Sequence, residues 1–205
     1  MAVDGFTGAG KTTFANELAA AFRRAGRSTA RASLDDFKHP WSHSREHGYD
    51  RLSGQGYYRN AYSLTDAQEL LLRPAGHDGS GCVALCAHDP LTGIDHRHDR
   101  VQLLDDTVLI VDSAFAARPE LAGFWDAHVW LAVPPELALD RGVQRDAPRE
   151  GQDEALRLHR DRYGAATAQY LSEVDAPSTA DLVVDNSDLD RADVLVDRLQ
   201  PSQDH

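Results

Sequence analysis

DGFTGAGKTT, residues 4–13, sets Gly5, Gly10, Lys11 and Thr12 at the spacing Gly-x4-Gly-Lys-Thr, which is that of a phosphate-binding P-loop. Gly5, Gly8 and Gly10 allow a tight turn that points successive backbone N–H groups into one concavity. The helix that follows adds its positive N-terminal end. Lys11 can reach the β- and γ-phosphates as a mobile charge, and the Thr12 hydroxyl can ligate Mg²⁺. A Gly-rich turn ahead of a helix is the plain alternative. Average composition gives this pattern by chance in roughly one chain in a hundred of this length. The flanks also agree, with apolar Ala2 and Val3 before the loop and FANELAAAF after it. The expectation is a nucleotide site over Gly5, Gly8, Ala9, Gly10, Lys11, Thr12 and Thr13.

The strand feeding such a loop usually lies mid-sheet and needs about five residues. Only Met1, Ala2 and Val3 precede Asp4. The expectation is that upstream residues are missing, because a short central strand leaves its neighbours' backbone groups unpaired.

Outward from the loop, KTTFANELAAAFRRAG reads as a helix closed by Gly26, with Arg23 and Arg24 in its last turn. STARASL reads as a strand, followed at once by Asp35-Asp36-Phe37. Residues 38–62 are polar and rich in His, Tyr and Gly, which suggests an irregular region or lid. SLTDAQELLL is a short helix with a Ser/Thr start signal. CVALCAHDPLTG suggests a hairpin or a pair of short strands. TVLIVDS (107–113), HVWLAVP (128–134) and DLVVDN (181–186) are apolar runs of the kind that form buried parallel strands. PPELALDRGVQRDA and EALRLHRDRYGAATAQYLSEV lie between them as helices. This alternation predicts an α/β fold with a doubly wound parallel sheet. Ligands then sit beyond the carboxyl ends of the strands, where the loop, Asp35 and Asp112 all fall.

The 205 residues suit one α/β domain with a real core. The formal charge of -12 argues against general nucleic-acid binding, but a loop can still concentrate positive charge for a small anion. No apolar run approaches membrane-spanning length, and no signal peptide precedes the loop, so a cytoplasmic protein is expected. The only two cysteines, Cys82 and Cys86, read as reduced thiols rather than half of a zinc site. His39, His43 and His47 recur every four residues, a metal-ligand spacing if helical. Pro40 and Gly48 break that segment, which favours exposed polar histidines.

GFTGAGKTT, SLDDF, LIVDSAFAARPEL, LDRGVQRD and ADLVVDN together resemble the uridine kinase and phosphoribulokinase family of P-loop kinases, and most of all its short actinobacterial uridine-kinase-like members. The resemblance spans roughly residues 2–187. It implies an NMP-kinase-like core at 1–187, with a substrate-side insertion at 38–100, lid helices at 136–165 and a peripheral tail at 188–205. It implies ATP and Mg²⁺ as cofactors and a small nucleoside-like acceptor, with no nucleic acid or membrane as partner and a homo-oligomer left open.

The resemblance makes Asp35 the general base for the acceptor hydroxyl, a role the chemistry supports. An Asp pair at a strand end also serves as a turn cap, and Asp36 is the second candidate. Asp112, ending the strand VLIVD, matches a Walker-B-like acid. Thr12, Asp112 and Asp35 are the candidate metal ligands. Ser113 stands where the family often has Gly. Arg141 and Arg145 share one helix face, and the resemblance places them over the transferring phosphate. The bland reading of Arg145 is a neighbour pair with Asp146. Phe37, His39, Tyr57, Tyr58 and Arg59 are the candidate acceptor-binding residues, with a small core under the lid as the alternative for each. The chain reads Phe37-Lys38-His39-Pro40-Trp41 where better-known uridine kinases place an aromatic and an Arg or Lys. The expected activity is phosphorylation of a nucleoside, uridine or cytidine first. Another small hydroxyl compound (a different riboside, a pantothenate-like molecule, an antibiotic) or a non-catalytic nucleotide-binding switch are the alternatives.

Overall fold

In the computed structural model, which describes residues 1–89 and 92–199, a six-stranded sheet runs in the order β2-β5-β1-β6-β7-β8. Its strands are β1 (Ala2–Gly5), β2 (Thr29–Ser33), β5 (Val108–Asp112), β6 (His128–Ala132), β7 (Leu182–Asp188) and β8 (Arg191–Asp197). All neighbours are parallel except β7 and β8. A separate antiparallel pair joins β3 (Cys82–Val83) to β4 (Val101–Gln102). The helices are α1 (Lys11–Arg24), α2 (Trp41–Glu46), α3 (Gly54–Asn60), α4 (64–75), α5 (Pro119–Ala122), α6 (Pro135–Glu150), α7 (152–173) and α8 (Ala176–Thr179).

The apolar runs become strands because the sheet is covered on both faces, which rewards Val, Ile and Leu at successive positions. One face packs Val3, Ile110, Val129 and Leu131 against Ala15 and Ala19 of α1. The other packs Leu34, Phe37, Tyr58, Leu71, Phe115 and Tyr170. Each large side chain so buried contributes about 1.5–3 kcal/mol. Register brings the functional ends level: Asp112 is the partner of Val3 on one side and of Ser33 on the other.

β1 is short but paired on both edges, with β5 over two positions and β6 over four. The Met1 ammonium donates to the Leu109 carbonyl at 2.8 Å, and Val111 N–H donates to the Met1 carbonyl at 3.0 Å.

The structure departs from sequence expectation in three places. Residues 38–62 hold α2 and α3 rather than an irregular lid. Pro40 precedes α2, where the missing N–H costs nothing, and Gly48 follows it in the left-handed region (φ 65). The Ser53 side chain caps α3 by accepting from Gly56 N–H. Secondly, Cys82–Val83 pairs not within CVALCAHDPLTG but with Val101–Gln102, and an isolated antiparallel bridge joins His88 to Asp95. Pro90 and Leu91 of that stretch lie outside the described residues. Thirdly, the polar tail begins with β8, a mostly exposed edge strand against β7. Its residues 200–205 lie outside the described residues.

Candidate active site

β1 ends at Gly5, and the loop turns through Gly8 (φ 91) and Gly10 (φ 87) before α1 begins at Lys11. Gly8 is required twice, because a Cβ there would also lie 2.1 Å from the Ala138 carbonyl oxygen. The turn is closed by Ala9 N–H donating to the Phe6 carbonyl (3.0 Å), while Asn186 Nδ2 donates to the Ala9 carbonyl (2.7 Å). Lys11 Nζ lies over its own loop, donating to the carbonyls of Gly5 (3.0 Å) and Phe6 (2.8 Å). Burial pushes its pKa down, against the pull of Asp4, Asp35 and Asp112.

Thr12 Oγ1 donates to Asp112 Oδ2 at 2.7 Å, and Ser33 Oγ to the same oxygen at 3.2 Å. The other oxygen, Oδ1, accepts from Arg31 Nη2 at 2.6 Å. A hydroxyl and a carboxylate oxygen side by side at the start of α1 suit a hard cation such as Mg²⁺.

A cleft of about 650 Å³ opens over this floor. The loop residues Thr7, Gly8, Gly10, Lys11, Thr12 and Thr13 line it together with Asp112 and Leu189, and so do Asp35, Lys38, Tyr57, Tyr62 and Tyr163. Arg141, Gln144 and Arg145 complete the wall. Asp35 reaches the cleft because Leu34–Phe37 forms a 3-10 turn, with Ser33 Oγ accepting from Asp35 N–H at 3.3 Å. Its Oδ1 accepts from Tyr62 Oη (2.9 Å) and lies 3.0 Å from Lys38 Nζ. The side chain remains 57% exposed, which leaves its outer face open to the cleft. Partial desolvation works against ionisation, but the Lys38 charge and the two hydrogen bonds outweigh it and hold the carboxyl below the usual range. Burial also opposes the charge of Lys38, yet Asp35 and Tyr57 raise its pKa.

Asp36 differs. Its carbonyl accepts from Ala87 N–H and His88 N–H, and its carboxyl does not line the cleft. Burial, with Asp35 and Asp112 adding, pushes that carboxyl up to about 6.

Both arginines reach the cleft wall but are engaged elsewhere. Arg141 donates to the carbonyls of Asn186 (2.9 Å) and Ser187 (2.6 Å) at the end of β7. Arg145 makes a two-pronged contact with Asp146, Nε to Oδ1 and Nη2 to Oδ2, both 2.9 Å. The hydrogen bond from Arg145, with another from His159, holds the Asp146 carboxyl at about 2 against partial burial.

Of the expected acceptor residues, Tyr57 lines the cleft and the other four do not. Phe37 is fully buried in the core. Tyr58 sits one position, about 100°, around α3 from Tyr57, and its ring meets Phe115 edge-on. His39 stacks on His43, with ring centroids 4.3 Å apart, and Arg59 is exposed. Gly5 and Ala9 lie beneath the loop rather than on the cleft surface. Of His39, His43 and His47, only His43 lies within α2; His39 precedes Pro40 and His47 caps the helix end. The rings stack in a column, and among the described residues no group of three or more His, Cys, Asp or Glu could hold a metal.

Sequence reasoning missed Lys38, Tyr62, Tyr163, Arg31 and Asn186. Lys38 had a usable signal, lying three residues after Asp35 and therefore about one turn away. The others meet the site only through long-range packing.

No family model and no curated protein matches the chain. Solved structures do. One titled "a Possible Uridine Kinase" from Bacillus stearothermophilus superposes with a TM-score of 0.66 at 24% identity, covering 89% of this chain and 85% of that one. A structure named for a fructose transport system kinase of a Silicibacter species gives 0.71 at 22%, covering 89% and 87%. A phosphoribulokinase from Rhodobacter spheroides gives 0.57 at 14%, covering 90% and 69%. The chain therefore has the fold of the P-loop kinases, shared with structures bearing the names of uridine kinase and phosphoribulokinase.

Proposed function

We propose that the chain is an ATP- and Mg²⁺-dependent kinase that transfers the γ-phosphate to a hydroxyl of a small molecule, first the 5′-hydroxyl of a pyrimidine nucleoside. The observation that carries this reading is Asp35, held ionised by Lys38 and Tyr62 in the same cleft as the phosphate loop. A nucleotide switch has no need of such a carboxylate.

The loop N–H groups and Lys11 bind the donor phosphates, with Lys11 exchanging its two loop carbonyls for phosphate oxygens. Thr12 and Asp112 would hold Mg²⁺, which when bound neutralises charge on the β- and γ-phosphate oxygens. Asp35 orients the acceptor hydroxyl and takes its proton as the new O–P bond forms. Phosphoryl transfer asks for positioning more than for a strong base, so a carboxylate of low pKa suffices. Arg145 is the guanidinium free to turn onto a bound phosphate, with 60% of its side chain exposed and its fork on Asp146, whereas Arg141 is held by two carbonyls at the end of β7.

A sugar or other small polyhydroxy acceptor is the second reading, favoured by Lys38. Its ammonium lies over the rings of Tyr57 (5.4 Å) and Tyr62 (5.2 Å), so a base stacking on either face must compete with it. A coupled ADP-release screen over nucleosides and free sugars tests the choice. Turnover with uridine or cytidine is expected, and Asp35→Asn should lose transfer while keeping ATP affinity. An Asp35→Asn variant that transfers at the wild-type rate would remove the kinase reading.

A further inference from the structure

His159 is buried, with its side chain 2% exposed, and its Nε2–H donates to Asp146 Oδ2 at 2.7 Å. That oxygen also accepts from Arg145 Nη2. The imidazole and the guanidinium thus share one carboxylate, and the imidazole is the fixed partner. It is seated on Gly142, where an added Cβ would lie 2.2 Å from His159 Cε1. Its ring also meets Tyr163 edge-on, with centroids 5.1 Å apart. Arg149, the other cation near Asp146, is 3.9 Å away and 65% exposed. His159 stands in a π-helical stretch, Leu158–Gly164, an irregularity common at functional sites.

We propose that His159 is a positioning residue for Arg145, acting through Asp146. The buried N–H fixes the plane of the carboxylate, and the carboxylate sets where the guanidinium fork rests on the cleft wall. Arg145 then rests on the wall of the cleft that the phosphate loop also lines instead of ranging through solvent, so less side-chain entropy is lost when it engages a bound phosphate. The proposal rests on the donor half of the kinase reading and not on the identity of the acceptor.

The test is the preference for ATP over ADP, read as the ratio of their dissociation constants with Mg²⁺ and no acceptor. His159→Met removes the donor at similar volume. His159→Gln keeps an N–H near the position of Nε2. Asp146→Asn breaks the link from the other side. The expected result is a loss of about tenfold in the ratio for His159→Met and Asp146→Asn, with His159→Gln within about threefold of wild type. In an Arg145→Met background, His159→Met should change the ratio by less than about twofold, the non-additivity expected of coupled residues. A wild-type ratio in both His159→Met and Asp146→Asn would overturn the proposal. So would an equal loss with and without Arg145, which marks a purely structural histidine. A wild-type chain that binds neither nucleotide would overturn the donor reading, and this proposal with it.

Discussion

Lys38 Nζ lies 3.0 Å from Asp35 Oδ1, one turn away, and covers the faces of Tyr57 and Tyr62 as it does so. The lysine keeps the carboxylate ionised in a partly desolvated cleft. Removing it leaves burial as the main influence on Asp35, so the pKa must rise. Lys38→Met should therefore move the acid limb of the kcat/KM profile for phosphoryl transfer to higher pH, and Lys38→Arg should restore it. An acid limb unchanged in Lys38→Met would show that Asp35 is not the titrating group.

Gly8 tests the loop independently of any acceptor. Its φ of 91 is strained for any other residue, and the Ala138 carbonyl fills the space of a Cβ. Gly8→Ala should cost about 1–3 kcal/mol in stability from backbone strain. It should also abolish nucleotide binding, because the loop must move off the start of α6. Nucleotide-induced rise in melting temperature is the measurement, and a wild-type rise would refute the loop geometry.

The parts legible in sequence are those that local physics dictates. Val108–Asp112 and His128–Ala132 read as strands because burial on both faces demands apolar runs. The P-loop reads from its glycines because only they make the turn. Asp35 was legible from its place after β2. The tyrosines were not, since Tyr62 meets Asp35 across 27 positions through the packing of α3 and the turn after it. Asn186 supports Ala9 across 177 positions, a contact that no local pattern encodes. RADVLVD read as tail because an exposed edge strand keeps its charges, and α2 was missed because Pro40 looks like a breaker when it stands just before a helix.

His39 gives the chain a definite acid response. Burial, with the neighbouring charges of His43 and Arg51, lowers its pKa from 6.5 to about 4. The unfolded chain protonates this ring as pH falls through 6.5, and the folded chain resists until about 4. Stability is therefore lost across that window and stays level below it. Because the ring is partly solvated, the loss should be on the order of 1 kcal/mol. His39→Asn should flatten the fall in urea midpoint between pH 7 and pH 4.5 relative to wild type. Equal slopes would show that the stack does not resist protonation.

The last prediction concerns the buried end of β1. Asp4 is fully buried, and its carboxylate accepts from Gly5 N–H (2.7 Å), Ala116 N–H (3.2 Å) and Tyr170 Oη (2.5 Å). Tyr170 Oη in turn accepts from Ala117 N–H at 2.9 Å. One phenol thus joins the strand that carries the P-loop, the segment after β5, and α7. Tyr170→Phe keeps the ring packed against Phe115 but takes the shortest of the donors from Asp4 Oδ2, which keeps Ala116 N–H (3.2 Å) and has His128 Nε2 at 3.4 Å, and it leaves the buried Ala117 N–H without its acceptor. Losing partners for buried polar groups costs about 1–3 kcal/mol each, more when one is charged, so a destabilisation of about 3 kcal/mol is expected. Tyr170→Phe in an Asp4→Asn background should cost less, because the oxygen left behind is then neutral. Urea unfolding of the four proteins reads both numbers. A Tyr170→Phe chain within about 0.5 kcal/mol of wild type would show that water replaces the phenol, and that the strand is not held through this contact.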